Sequence, residues 1–315
     1  MTFNRPLTVY TTNTRRANVY QSAPQDIGQF FERLHSSQAI PFDHDAYKAL
    51  PKSQQDDLKD VGGFVLGELR GGRRKAGAVL SRCAAVLDAD NLGPGETENV
   101  AQRVETLGCC YCIYSTAKHS TGAPRLRIVI PFSEDIPADE HEPVTRLLCQ
   151  MIQPEMTWFD PTTAEPSRMM YYPAHCQDID PVYYVGDKPL LDTRALLSRL
   201  KDWRDVASWP RFPQEQTPAR LAAKQGDPEA KHGVVGAFCR VYDVPAVMDK
   251  FLPGVYEETD TPGRYTFTGG STTGGAVLYD GGKFLYSHHA TDPCGGKLVN
   301  AFDLVRLHRF EGLDD

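Results

Sequence analysis

Apolar positions along the chain recur with two periods, and the switches between them mark out the elements. Residues 6–12 suggest an opening strand. Ile27, Phe30, Phe31 and Leu34 then fall at helical spacing, which predicts a helix over 24–36 with Pro24 in its first turn. Residues 43–59 are polar and read as a helical surface excursion, followed by an apolar, glycine-rich run at 61–67. Small and apolar residues at 83–90 read as a buried strand. Residues 96–107 form an amphipathic helix through Val100, Val104 and Leu107, stopped by Gly108. Strands are expected at 109–114, 125–131, 166–173 and 182–185, and helices at 137–152 and 191–206. Pro210, Pro213, Pro218 and Pro228 then interrupt a polar stretch that reads as a linker, with one helical turn around 219–224. Beyond it lie two short helices (233–241, 244–252), three short strands (265–267, 275–279, 284–287) and a closing helix at 300–308. The expected division is a large domain at 1–207, a linker at 208–232 and a small α+β module at 233–315.

Composition narrows the class. The chain has 315 residues, 41% hydrophobic and 24% charged, as in an ordinary globular protein. No apolar run reaches membrane-spanning length, and the N-terminus lacks the apolar core of a signal peptide. The eight cysteines do not form the paired CxxC motifs of a four-thiolate zinc ribbon, nor a disulfide framework, so reduced thiols in a cytoplasm are expected. A net charge of −7 does not suggest a surface coated by nucleic acid, but a local basic stripe is what matters. Arg70, Arg73, Arg74 and Lys75, with Arg82 close behind and glycines among them, form such a stretch. It reads either as a solvated loop or as a loop that contacts phosphates.

Three carboxylates carry the candidate chemistry. Asp88 and Asp90 sit two positions apart at a strand end and so share a face, where they repel unless a cation lies between them. A hard divalent cation such as Mg²⁺ accepts that oxygen set and keeps open positions for phosphate. The plain alternative is a polar strand end entering a turn. Asp160 closes another apolar stretch, although Asp before Pro also forms turns. Lys118 and His119 occupy a polar loop, and Arg125 and Arg127 alternate with Leu126 and Ile128, which makes an anion site of planar guanidinium forks. Arg168 opens the next strand. His288, His289 and Cys294 could ligate zinc, but a fourth ligand at sensible spacing is missing, so no zinc is expected. Glycine-lysine pairs near 281–284 and 295–298 lack the spacing of a nucleotide-binding P-loop.

The order of these pieces gives a palm-like α+β arrangement: a mainly antiparallel, RRM-like sheet with flanking helices, bearing its chemistry on one face. It resembles the archaeo-eukaryotic primase superfamily. The pattern is Leu87-Asp88-Ala89-Asp90, then Ala117-Lys118-His119, then Phe159-Asp160. The likeness is greatest to phage and prophage primase-polymerases that precede a virulence-associated-protein-E-like helicase. It is carried by 59–90, 114–131 and 166–171 and covers roughly residues 1–200. The resemblance implies template-directed nucleotidyl transfer. Asp88, Asp90 and Asp160 would hold two Mg²⁺ or Mn²⁺ ions. Lys118, His119, Arg125, Arg127 and Arg168 would grip the incoming nucleoside triphosphate. Arg70, Arg73, Arg74 and Lys75 would contact single-stranded DNA template or primer. The C-terminal module, with 286–293 and 300–305, is similar to a primase zinc ribbon without its metal, and would help hold template or initiating nucleotide. The resemblance also implies a bacterial cytoplasm, a phage or prophage origin, and a helicase partner. The end at Asp314-Asp315 suggests that this helicase follows in a longer chain or acts in trans. Two rival readings remain: a metal-dependent nuclease, since the same residue types cleave phosphodiesters, and an inactive single-strand-binding module of a replicative helicase.

Overall fold

The computed structural model describes residues 1–215 and 218–310. Asp314 and Asp315, and residues 216–217 of the expected linker, lie outside the described residues. The chain divides into two compact units, Met1–Arg199 with Pro210–Gln214, and Leu200–Trp209 with Glu215–Asp315. No helix among the described residues is long and apolar enough to cross a membrane.

In the first unit a four-stranded antiparallel sheet runs in the order Tyr183–Gly186, Tyr111–Ser115, Leu126–Pro137, Ser81–Ala89. Its register sets Arg127 between Asp88 on one side and Tyr114 on the other. Side chains alternate between faces, so Ala84, Val86, Cys112, Tyr114 and Val129 share the face on which Asp88 and Arg127 also lie. The apolar part of that face packs against Phe30, Phe31, Phe64, Met170 and Tyr172. Phe30 meets Phe64 edge to face at 5.0 Å. Each such fully buried side chain contributes about 1.5–3 kcal/mol from transfer out of water. Phe30 and Phe31 come from the Ile27–His35 helix, whose start is fixed by a reciprocal cap between Asp26 and Gln29. Phe64 and Met170 come from a second antiparallel sheet, ordered Met170–Tyr171, Gly63–Leu66, Val9–Thr12, Gln21–Ser22. The Ala138–Ile152 helix packs on the Ser81–Ala89 strand. One parallel pair, Ala174–Cys176 with Gln38–Ile40, departs from the antiparallel pattern.

Several expected elements differ from those observed. The polar stretch at 43–59 is two helices, His44–Ala49 and Lys52–Leu58. Pro51 lacks the N–H that a continuous helix would use. The strand expected at 166–173 shrinks to Met170–Tyr171, since Pro166 and Pro173 cannot donate to a ladder and the Arg168 N–H turns back to Glu165. The helix expected at 191–206 stops at Leu197. Asp202 and Asp205 accept the backbone N–H groups of Arg204 and Ala207, which competes with helix continuation. The single turn expected around 219–224 is a full helix, Pro218–Gln225.

The second unit is a five-stranded antiparallel meander, Tyr256–Glu258, Arg264–Phe267, Ala276–Tyr279, Phe284–Ser287 and Leu298–Asn300. Ala276, Leu285 and Val299 pack against Val244, Val247 and Met248 of one helix and Leu304 and Leu307 of another. The outer two strands are only three residues long, too short to show a period in the sequence.

Candidate functional site

The apolar sheet face ends at Asp88 and Arg127, where the core gives way to a cavity of about 450 Å³ in the first unit. Asp88 is buried at the end of its strand, and Asp90 follows just beyond it. Phe159 pairs with Ala89 as an isolated antiparallel bridge, and the Asp160 N–H donates to the Asp88 carbonyl at 2.9 Å. This short pairing brings the third carboxylate beside the first two. Ligand oxygens of Asp88, Asp90 and Asp160 all lie within 4.8 Å of one another. Thr163 braces the strand end, accepting the Asp88 N–H and donating to the Val86 carbonyl. Asp160 is oriented by Thr162, whose N–H and hydroxyl both donate to its Oδ1.

Each aspartate faces its own arginine. Arg127 lies 3.3 Å from Asp88, Arg125 lies 2.9 Å from Asp90, and Arg168 lies 3.6 Å from Asp160. The three pairs differ in burial. Arg127 is buried and also donates to the Tyr171 carbonyl, which the Tyr114 hydroxyl bonds as well. Arg125 and Arg168 keep 32% and 39% of their side chains exposed and can reach a ligand. Burial raises the Asp88 carboxyl above its ordinary value against the pull of Arg127, and the Asp90 charge adds to the rise. The Asp88 Oδ1 is buried with no hydrogen-bond partner. A buried, unpartnered carboxylate oxygen among three carboxylates fits a hard divalent cation.

Lys118 lines the cavity, and its ammonium is shifted down by burial and by the charges of Lys52, Lys59 and Arg125. His119 is not among the lining side chains. It is buried, its Nδ1 accepts the Arg125 N–H at 3.2 Å, and burial lowers it below the usual histidine range. It is a neutral brace for the loop that carries Arg125. The sequence puts Arg127 on a phosphate-gripping face with Arg125; in the structure both line the cavity, Arg125 a third exposed and Arg127 buried between Asp88 and the Tyr171 carbonyl. Of the basic stretch, Arg74 lines the cavity, while Arg70, Arg73 and Lys75 do not. The loop is pinned by Tyr20, whose N–H donates to the Gly72 carbonyl. A Cβ on Gly72 would stand 2.4 Å from the Tyr20 carbonyl oxygen, and its φ is +70°.

Four charged residues of the cavity are not among the candidates the sequence offers: Arg15, Lys52, Asp56 and Lys59. The spacing of the last three, at i, i+4 and i+7, was a usable signal, because it puts them on one helical face. Lys52 and Lys59 each pair with Asp56 at 2.9 Å. In all, eight basic and four acidic side chains line the cavity.

In the second unit His288, His289 and Cys294 do not converge. His289 accepts the Phe267 N–H on Nε2 and meets the Thr272 hydroxyl with Nδ1. Cys294 instead joins Asp292 and His308, whose ligand atoms also lie within 4.8 Å of one another. The Asp292 carboxylate accepts from Tyr256, Ser287 and Cys294 and pairs with His308 at 3.2 Å. Burial alone would raise its carboxyl, but the donors from His308 and Cys294 hold it below the usual range.

Comparison with known proteins gives one family and one solved structure. No curated protein matches the chain. The AEP domain of the cyanophage S-2L primase-polymerase is similar over 61% of this chain and 87% of that one, at 13% identity and a TM-score of 0.34. The model of the VapE N-terminal domain matches residues 1–212, which takes in the whole cavity and every residue around the three aspartates. The chain belongs to the VapE N-terminal domain family.

Proposed function

We propose that the chain is a template-directed nucleotidyltransferase that starts or extends primers on single-stranded DNA, with Mg²⁺ or Mn²⁺ held by Asp88, Asp90 and Asp160. One observation carries the reading: three carboxylates gather within 4.8 Å at a cavity otherwise rich in cationic side chains. Cations bound there would neutralise the triphosphate and favour ionisation of the attacking hydroxyl.

The remaining steps belong to the protein. Arg125 and Arg168 pair with Asp90 and Asp160 but stay partly exposed, so their free N–H groups can take phosphate oxygens. Arg127 also lines the cavity but is only 10% exposed, and its contacts with Asp88 and the Tyr171 carbonyl give it the role of holding Asp88 in place as a charged group. His119 fixes the backbone of Arg125 and so sets the position of that guanidinium. Arg74, at the cavity wall, with Arg70, Arg73 and Lys75 on the same loop, would contact the template or primer backbone. Such contacts give salt-dependent binding without sequence choice. Family membership supports a helicase as the partner, in the same chain or in trans.

The test is a gel assay with unprimed and primed single-stranded DNA, labelled nucleotides of each sugar type, and Mg²⁺ or Mn²⁺. Wild type runs beside Asp88→Ala/Asp90→Ala. Metal-dependent products from wild type and none from the variant are expected. Metal-dependent shortening of DNA without synthesis would replace the reading with a nuclease. Strand binding with neither reaction would leave a binding module.

A further inference from the structure

We propose that Lys52 and Lys59, together with Lys118, form a subsite for the terminal phosphates of a nucleoside triphosphate, and that Asp56 holds the two helical lysines until that anion arrives. The inference rests on the nucleotidyltransferase reading of the cavity and adds the end of the ligand that it grips.

The argument starts from charge. At the aspartate end of the cavity, three arginines face three aspartates one to one. The surplus positive charge therefore lies elsewhere along the wall. Lys52 and Lys59 share a single carboxylate, Asp56, at 2.9 Å each. Lys118 forms no ion pair among the described residues, yet it is buried enough for its ammonium to be shifted down. Three ammonium groups against one carboxylate leave two charges unmatched along the cavity wall, where Lys59 is 23% exposed and Lys52, at the mouth, 68%; such a surplus favours a polyanion.

Connectivity sets the orientation. Arg125 touches Asp90 at one end and is close enough to Lys118 for its charge to be felt there. Lys118 in turn feels Lys52 and Lys59, and the opposite charge of Asp56. Arg125, Lys118, Lys52 and Lys59 all line the cavity that the three aspartates also line. A nucleotide whose α-phosphate lies at the aspartates would then have cations of that wall for its outer phosphates. Asp56 then acts as an internal stand-in for the anion. It keeps two otherwise repelling lysines in place, with its own carboxyl drawn down to about 2 by bonds from Lys59 and Lys52. Since it competes with the ligand for the same ammonium groups, removing its charge should tighten binding.

The experiment measures equilibrium binding of one nucleoside as its 5′-tri-, di- and monophosphate, and of inorganic triphosphate, without DNA, with and without Mg²⁺. The proteins are wild type, Lys52→Met/Lys59→Met, Asp56→Asn and Asp88→Asn/Asp90→Asn. Thermal unfolding of each shows that it is folded. The double lysine variant should lose about tenfold or more in triphosphate affinity and less than about threefold for the monophosphate. Asp56→Asn should gain about threefold for the triphosphate. Equal losses for tri- and monophosphate, no loss, or no measurable triphosphate binding by wild type would overturn the subsite. An unchanged or weakened affinity in Asp56→Asn would overturn the role of Asp56. Failure of synthesis in the gel assay with the phosphate-count effect intact would remove the polymerising activity and leave the subsite standing.

Discussion

Replacing Arg127 with Met separates two roles for this residue, a ligand for substrate phosphate or a buried counter-ion for Asp88. The side chains of Arg127 and Asp88 are 10% and 8% exposed, so little solvent screens the pair. Met fills similar volume, which keeps cavity formation out of the comparison. Breaking one side of a buried ion pair costs about 3–5 kcal/mol, because the remaining charge is left without its partner. The Tyr171 carbonyl also loses one of its two donors, for about 1 kcal/mol more. In a unit of this size each kcal/mol lowers Tm by about 2–4 °C, so the drop should be roughly 8–24 °C. The assay is calorimetry and urea unfolding without divalent cations. Adding Asp88→Asn to Arg127→Met removes the stranded charge and should recover part of the loss. A double-mutant cycle should then give at least about 1.5 kcal/mol of coupling. A single variant within about 1 kcal/mol of wild type, or an additive cycle, would refute the counter-ion role and return Arg127 to the phosphate-gripping set.

His141 is 1% exposed, and burial followed by the Arg82 charge lowers it well below 6.5. The unfolded chain therefore takes up this proton near pH 6.5 while the folded chain does not. Stability should be level above that pH and fall below it by up to about 1.4 kcal/mol per pH unit, until the folded histidine titrates. His141→Leu should flatten that slope in urea unfolding at pH 5 and 7.5; an unchanged slope would sink the assignment. Asp292→Ala should destabilise the second unit by about 2–4 kcal/mol, since it removes the acceptor shared by Tyr256, Ser287 and Cys294 and leaves a buried gap. A melting point within 2 °C of wild type, as a rough limit, would contradict this. Gly67→Ala should cost more than about 2 kcal/mol, because φ is +139° and a Cβ would stand 2.0 Å from the Ser81 carbonyl oxygen. Gly71→Ala, at φ +61° with open space around it, should cost about 1 kcal/mol; equal losses would show that the contact is not rigid.

The sequence made the aspartates legible because each stands where a local pattern ends. Asp88 and Asp90 follow a run of small and apolar residues, and strand alternation gives their shared face without knowledge of any neighbour. Asp160 was legible as an acid after an apolar stretch, but its place beside Asp88 depends on a two-residue pairing, Ala89 with Phe159, that no periodicity reveals. The helices with clear apolar spacing and clean caps were legible too, as at Ile27–His35. Those that failed did so where side chains compete for backbone groups, as Asp202 and Asp205 do.

The cationic residues were harder for a physical reason: a charged side chain on a strand or loop looks the same whether it meets solvent, substrate or a buried carboxylate. Arg125 and Arg127 are two positions apart and share a sequence pattern, yet one is a third exposed and the other is enclosed. The register opposite Asp88 decides between them, and register is a property of two strands, not one. The same holds for the polar stretch at 43–59, which reads as surface because its few apolar residues, Tyr47, Leu50 and Leu58, are scattered among charges; the structure packs them with Ile40, Ala117 and Cys176. The charged side of the second helix faces the cavity instead. Polarity at i, i+4 and i+7 with alternating sign, as in Lys52, Asp56 and Lys59, is consistent both with a solvated helix and with the wall of a phosphate site. Only the placement of Lys118, from a loop more than fifty residues away, favours the second.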